Sequence, residues 1–168
     1  EDNTTATINE INAWFSADLA ATTQKWKVVL LHRPPYTSTG GHGENANVKL
    51  HLVPRMEAAG VQVVFQGHNH WYERINPVNG IHYITTGSAG AGLYVPSLRR
   101  DYSAVLYNAL HSYTVVDVQD GRMTIEQINI NGEIIDEHII DLDHPFLIDG
   151  RLDNPAWQRA SNNLNLYA

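Results

Sequence analysis

The sequence predicts an α/β fold, with a parallel strand–helix–strand unit followed by an antiparallel β-meander. Three observations carry this prediction. Two short apolar runs, Lys27-Val28-Val29-Leu30-Leu31-His32 and Val61-Gln62-Val63-Val64-Phe65, flank a stretch of helical periodicity. Two tight-turn dipeptides, Asp120-Gly121 and Asn131-Gly132, separate three strand-like stretches near the end. Hydrophobic residues make up 43% of the chain and charged residues 17%, enough apolar surface for a buried core.

The first element is a helix. Thr7-Ile8-Asn9-Glu10 fits a capping box, and Ile8, Ile11, Phe15 and Leu19 follow at spacings of three and four. The polar residues up to Thr5 read as a loose lead, and the helix is expected to fade near Thr22 and Thr23. The run 27–32 lacks alternation and reads as a strand covered on both faces, stopped by Arg33-Pro34-Pro35-Tyr36. A loop over 37–43 leads into a helix over 45–59 with Val48, Leu52 and Met56 on one face. Pro54 is expected to kink it or to start a second short helix, and Gly60 to end it. The run 61–65 is the second buried strand. A crossover of this kind is right-handed and sets its two strands parallel, so their C-terminal ends lie side by side, at the sheet edge where α/β folds place ligands. Residues 81–86 read as a further strand and 87–92 as a Gly/Ala loop; 93–112 read as a long surface loop. The meander spans 113–118, 122–130 and 133–140. Residues 1–142 read as one unit and 143–168 as an extended tail or linker.

Charge and composition exclude several functions. Eleven Lys+Arg against eighteen Asp+Glu give a net charge of -7, which opposes a nucleic-acid scaffold role or adhesion to an anionic membrane. No apolar run approaches the roughly 20 residues of a transmembrane helix. With no cysteine there is no disulfide, thiolate nucleophile or iron–sulfur site. Nine histidines and the carboxylates are left to carry any metal chemistry. The start at Glu1 reads as a processed product or an excised segment. Asn3-Thr4-Thr5 has the form of a glycosylation sequon.

The candidate site is where the two predicted strands end. His32 closes the first, and Gly67-His68-Asn69-His70 follows the second. Histidines at i and i+2 of an extended segment point to the same side, so three imidazoles converging on one edge are a candidate metal site. A lone histidine at a strand end is often only a polar surface residue, and His-x-His alone is a weak signal.

These residues carry a resemblance. Val28-Val29-Leu30-Leu31-His32-Arg33-Pro34-Pro35-Tyr36, followed by Gly67-His68-Asn69-His70-Trp71-Tyr72-Glu73-Arg74, resembles the calcineurin-like metallophosphoesterase superfamily, in particular its purple acid phosphatase branch. The resemblance covers about residues 8–142. It implies a hydrolase of phosphate esters at a dinuclear centre of Fe, Zn or Mn, where a metal-bound hydroxide attacks phosphate. By the same resemblance His32 and His68 bind one ion and His70 the other. His42, in Gly40-Gly41-His42-Gly43-Glu44, stands in the loop whose histidines contact phosphate or protonate the leaving group; an exposed loop histidine is the plain alternative. Tyr72, Glu73 and Arg74 read as structural, a buried Glu–Arg pair behind the histidine loop. Export from the cytoplasm is also implied.

The upstream motifs of that family are missing: the first Asp, the Gly-Asp block with the bridging carboxylate, and the Gly-Asn-His block. Asp136-Glu137-His138 has the spacing of the first motif, but it sits in the terminal meander with no following block, which argues against circular permutation. The resemblance is therefore to a C-terminal half. Three neutral imidazoles cannot compensate two metal ions, and a half-sheet leaves an apolar edge uncovered. A companion chain carrying the N-terminal half, or self-association, is expected. Three functions stay open: part of a phosphoester hydrolase, an inactive binding module of the same fold, and a mononuclear three-His metal protein.

Overall fold

The computed structural model describes residues 5–143. The sequon and the segment 144–168 lie outside the described residues. Helix α1 (Thr5–Ala21) leads to strand β1 (Val28–Leu31). A wide π-type turn (Val48–Leu52) runs into helix α2 (Val53–Ala59), and strand β2 (Val63–Gln66) follows. Next come β3 (Tyr72–Ile75), β4 (His82–Thr86) and β5 (Ser103–Tyr107), then the meander β6 (Ser112–Gln119), β7 (Arg122–Asn129) and β8 (Ile134–Asp141).

The first sheet has the order β1-β2-β4-β3-β5, and the meander forms a second sheet, β6-β7-β8. Strands β1, β2 and β4 are parallel, and β3 runs antiparallel to both its neighbours. The helices cover one face of the first sheet. Phe15, Leu19, Val53, Met56, Val64 and Tyr83 pack there. The meander covers the other face, where Val63, Tyr72 and Ile84 meet Met123, Ile125 and Ile140. Consecutive strand residues point to opposite faces, which is why Val63 and Val64 belong to different cores.

The crossover forms as predicted. Pro54 lies in the first turn of α2, where its missing N–H costs nothing, and the Val53 N–H reaches the Val48 carbonyl just before it. Gly60 ends α2 in the left-handed region at φ 68°.

Four expectations are corrected. Thr7 does not cap α1, because the helix already includes Thr5. The buried stripe of α1 runs through Asn12, Phe15 and Leu19, while Ile11 is exposed. Strand β1 is not covered on both faces: it is an edge strand, and Leu30 is 79% exposed. Residues 93–112 are not all loop, because β5 lies within them and pairs with β3.

A polar cluster joins the two sheets. Arg74 on β3 donates from Nε and Nη2 to the Asp136 carboxylate on β8, at 2.7 and 3.0 Å. The Tyr72 hydroxyl donates to the same carboxylate at 2.6 Å. Burial pushes the Asp136 carboxyl up, but the hydrogen bonds of Arg74 and Tyr72, with the Arg74 charge, outweigh it and hold it below the usual range. Nearby, His82 on β4 sits 2.9 Å from His138, Nδ1 to Nε2. Burial, then His138 and Arg74, push His82 down to about 3.

Asp136→Ala leaves the Arg74 guanidinium buried without its partner and is expected to cost about 3–5 kcal/mol in denaturant unfolding. His82 also makes stability depend on pH. Its folded pKa is depressed, so between about 6.5 and 3 the unfolded chain takes up a proton that the folded chain refuses. Stability is expected to fall as pH drops through that window, and less steeply in His82→Gln; equal slopes would contradict this.

Candidate functional site

Strands β1 and β2 pair in register from Val28 against Val63 to Leu31 against Gln66. The Gly67 N–H continues the pairing one step further, onto the His32 carbonyl at 3.1 Å. His32 and His68 are thereby set side by side, with His68 Nδ1 and His32 Nε2 3.1 Å apart. His68 has a φ of 68°, in the left-handed region that costs a non-glycine residue of order 1 kcal/mol or more.

The segment after Gly67 is not extended. Asn69 N–H bonds the Gly67 carbonyl at 2.8 Å, and Trp71 N–H bonds the Asn69 carbonyl at 2.9 Å. These tight turns send His68 and His70 to different neighbours. His70 Nδ1 lies 2.9 Å from the Gly92 carbonyl, and its ring stacks on Tyr94 with centroids 4.1 Å apart. The expected convergence of three imidazoles is therefore not formed. Among the described residues no group of three or more His, Asp or Glu stands close enough to hold a metal ion.

His42 joins the pair instead. Its ring stacks on His68 with centroids 3.6 Å apart and 20° between planes. Asn69 holds that loop in place. The side chain is fully buried; its Oδ1 accepts the His42 N–H at 2.7 Å, and its Nδ2 donates to the His42 carbonyl at 3.0 Å and to Thr37 Oγ1 at 2.8 Å. Gly87 allows the Asn69 backbone to pass, since a Cβ there would stand 2.0 Å from the Asn69 carbonyl oxygen. Asn69 and Tyr94 were not visible as site residues in the sequence. An amide between two histidines, and a tyrosine in an unpatterned loop, carry no signal of their own.

The Glu73–Arg74 pair is also corrected. Neighbours on a strand face opposite ways, so the two cannot meet. Glu73 is fully buried on the site side and accepts from Thr37 Oγ1, Ser38 N, Ser38 Oγ and Trp71 Nε1 at 2.5–3.2 Å. It thus anchors the start of the His42 loop. Tyr72 and Arg74 face the meander through Asp136 and do not back the histidine loop.

Two nitrogens 3.1 Å apart fit two donors of one tetrahedral ion, which stand roughly 3.3 Å from each other when each bond is about 2.0 Å. The remaining donors and all the negative charge are another matter. The Glu73 carboxylate is taken by four donors, Asp136 by Arg74 and Tyr72, and Glu44 by Lys49 and Tyr102.

No protein-family model matches the chain. Purple acid phosphatase 21 of Arabidopsis thaliana is 38% identical over 88 residues, which is 46% of this chain and 20% of that protein. Tartrate-resistant acid phosphatase type 5 of Rattus norvegicus is 27% identical over 131 residues, 72% of this chain and 39% of that protein. Among solved structures, the purple acid phosphatase PPD1 of yellow lupin seeds matches 84% of this chain and 29% of its own, with a TM-score of 0.71 and 19% identity. GAP50, described as the anchor in the inner membrane complex of Plasmodium, matches 81% of this chain and 42% of its own, with a TM-score of 0.66 and 19% identity. The resemblance to purple acid phosphatases is borne out, in sequence over about half of the chain and in fold over most of it. The described residues fit the C-terminal half of the calcineurin-like fold. The chain spans about a fifth of the length of the plant relatives it matches.

Asn69→Ala removes three buried hydrogen bonds at once and is expected to cost about 2–4 kcal/mol. It should also free the His42 loop, seen as lost amide-exchange protection at His42. Full protection of that amide in the variant would contradict the role given to Asn69.

Proposed function

We propose that this chain is one part of a metal-dependent phosphoester hydrolase. The single observation that carries the reading is the His32–His68 pair, 3.1 Å apart at the end of two parallel strands, in a chain similar to purple acid phosphatases over about half of its length. His32 and His68 would hold one ion, and His70 would offer Nε2 to a second, its Nδ1 being occupied by the Gly92 carbonyl. The ions, Fe, Zn or Mn, supply the Lewis acidity that lowers the pKa of water and stabilises the oxygens of an in-line displacement. His42 is the proton donor to the leaving oxygen. It is exposed, its loop is held through its backbone by Asn69, and its ring is stacked on His68 beside the proposed ion.

The carboxylate ligands come from elsewhere in this reading. Among the described residues, Glu73 and Glu44 beside the site are already hydrogen-bonded, so in this reading the bridging charge arrives on a companion chain with the N-terminal motifs, or on another copy. The open edge of β1, with Leu30 almost wholly exposed, supports such a companion. The substrate is a phosphate ester, and the place of action is outside the cytoplasm. No helix of the described residues is long and apolar enough to cross a membrane.

A second reading has its own support. The missing carboxylates, and the similarity in fold to a structure described as an anchor, fit a binding module that has lost catalysis. The mononuclear three-His reading lacks its cluster among the described residues.

His68→Ala in the complete protein is expected to lower phosphatase turnover on the order of 100-fold or more, and to lower bound metal with it. Both quantities unchanged would remove the hydrolase reading. Metal lost from a protein that was never active would favour the binding module.

A further inference from the structure

We propose that Tyr94 is a positioning residue of this site, one that fixes the ring of His70. The proposal rests on the phosphoesterase reading for its consequence in catalysis, but not for its structural content. The contacts on both sides of the phenol carry it. One side lies flat on the His70 imidazole, with 19° between the planes. The Tyr94 N–H donates to the His70 carbonyl at 3.1 Å, so ring and backbone are gripped together. The other side meets His42 edge-on at 5.8 Å, with the hydroxyl 3.5 Å from His42 Nε2. A Cβ at Gly41 would stand 2.4 Å from the Tyr94 ring, so the glycine leaves the room through which the His42 loop passes the phenol.

The residue is itself tied down. Asn108 Nδ2 donates to the Tyr94 carbonyl at 3.0 Å. Four residues after Tyr94, Leu98 forms a bridge with Thr39, Thr39 N–H to the Leu98 carbonyl at 3.0 Å. The loop around Tyr94 is therefore fastened to the His42 loop.

The physical task is clear from His70. A carbonyl can only accept, so the Gly92 contact puts the proton on Nδ1 and leaves the lone pair on Nε2. One hydrogen bond still lets the ring rock about its own axis. A flat aromatic partner removes that freedom, and a ring without a hydroxyl does so equally well. The hydroxyl, 3.5 Å from His42 Nε2, is not needed for that task.

The test uses long-range 1H–15N correlation of the histidine rings in the whole chain at one pH above 7.5, with thermal unfolding in parallel. In the wild type, His70 is expected as the single Nδ1–H tautomer, with its ring protons shifted upfield by the phenol. Tyr94→Phe keeps that signature, and Tyr94→Leu loses the upfield shift and frees the ring to move in 15N relaxation, while the Gly92 carbonyl keeps the proton on Nδ1. A wild-type His70 without the upfield shift, or Tyr94→Leu with ring motion unchanged, overturns the proposal. The wild-type spectrum decides even if Tyr94→Leu does not fold. In the complete protein, with p-nitrophenyl phosphate, Tyr94→Leu is expected to lower kcat about 10–100-fold and to change KM less, while Tyr94→Phe keeps the wild-type kcat to within about threefold. Signatures that change as expected in a protein whose wild type hydrolyses nothing would leave the positioning role in place and sink the hydrolase reading.

Discussion

The parallel pairing of β1 with β2 is the constraint on which the candidate site depends. Each strand is only four residues long, yet the register runs unbroken and continues from Gly67 onto the His32 carbonyl. That last bond decides where His68 begins its turn. A slip of one residue would turn His68 away from His32, because strand side chains alternate between faces. The crossover through α2 enforces the register by burying Val53 and Met56 against the same sheet. The left-handed backbone of His68 can be tolerated only on so firmly held a base.

Around that pair, polar groups organise the loops and apolar groups organise the layers. Glu73 and Asn69, both fully buried, gather the loop 37–42 by its hydroxyl and amide groups. Arg74 and Asp136 do a comparable job between the sheets. This leaves few charged groups of the interior unassigned. A dinuclear centre needs negative charge, and the chain has already committed its nearby carboxylates to its own folding. Among the described residues, an unpaired edge at β1 and hydrogen-bonded carboxylates at the site are what the proposed companion would answer.

Much of the fold was legible. The apolar runs, Pro54, Gly60 and the two hairpin dipeptides announce their elements, because each acts locally. Strand β3 was hidden, since Tyr72-Glu73-Arg74-Ile75 buries a carboxylate and a guanidinium whose partners, Ser38 and Asp136, lie far away in sequence. Strand β5 was hidden in an unpatterned stretch because it is an edge strand, half-buried along most of its length. The site was legible in its residues more than in its geometry. His32 and His68 meet because their strands do, which topology foretells. His70 departs because the chain turns by i to i+2 bonds where an extended course was expected. The grip of Asn69 and Tyr94 depends on loops brought together only in the folded state.

In the proposed reading, the chemistry of this chain is completed by carboxylates that it does not itself supply. Native mass spectrometry of the particle purified from its source tests this most directly, read for companion polypeptides and for bound metal together. The account predicts a second polypeptide with Gly-Asp and Gly-Asn-His motifs, or those motifs in the same longer product, and two metal ions. A particle made of these 168 residues alone that nevertheless hydrolyses phosphate esters would contradict it.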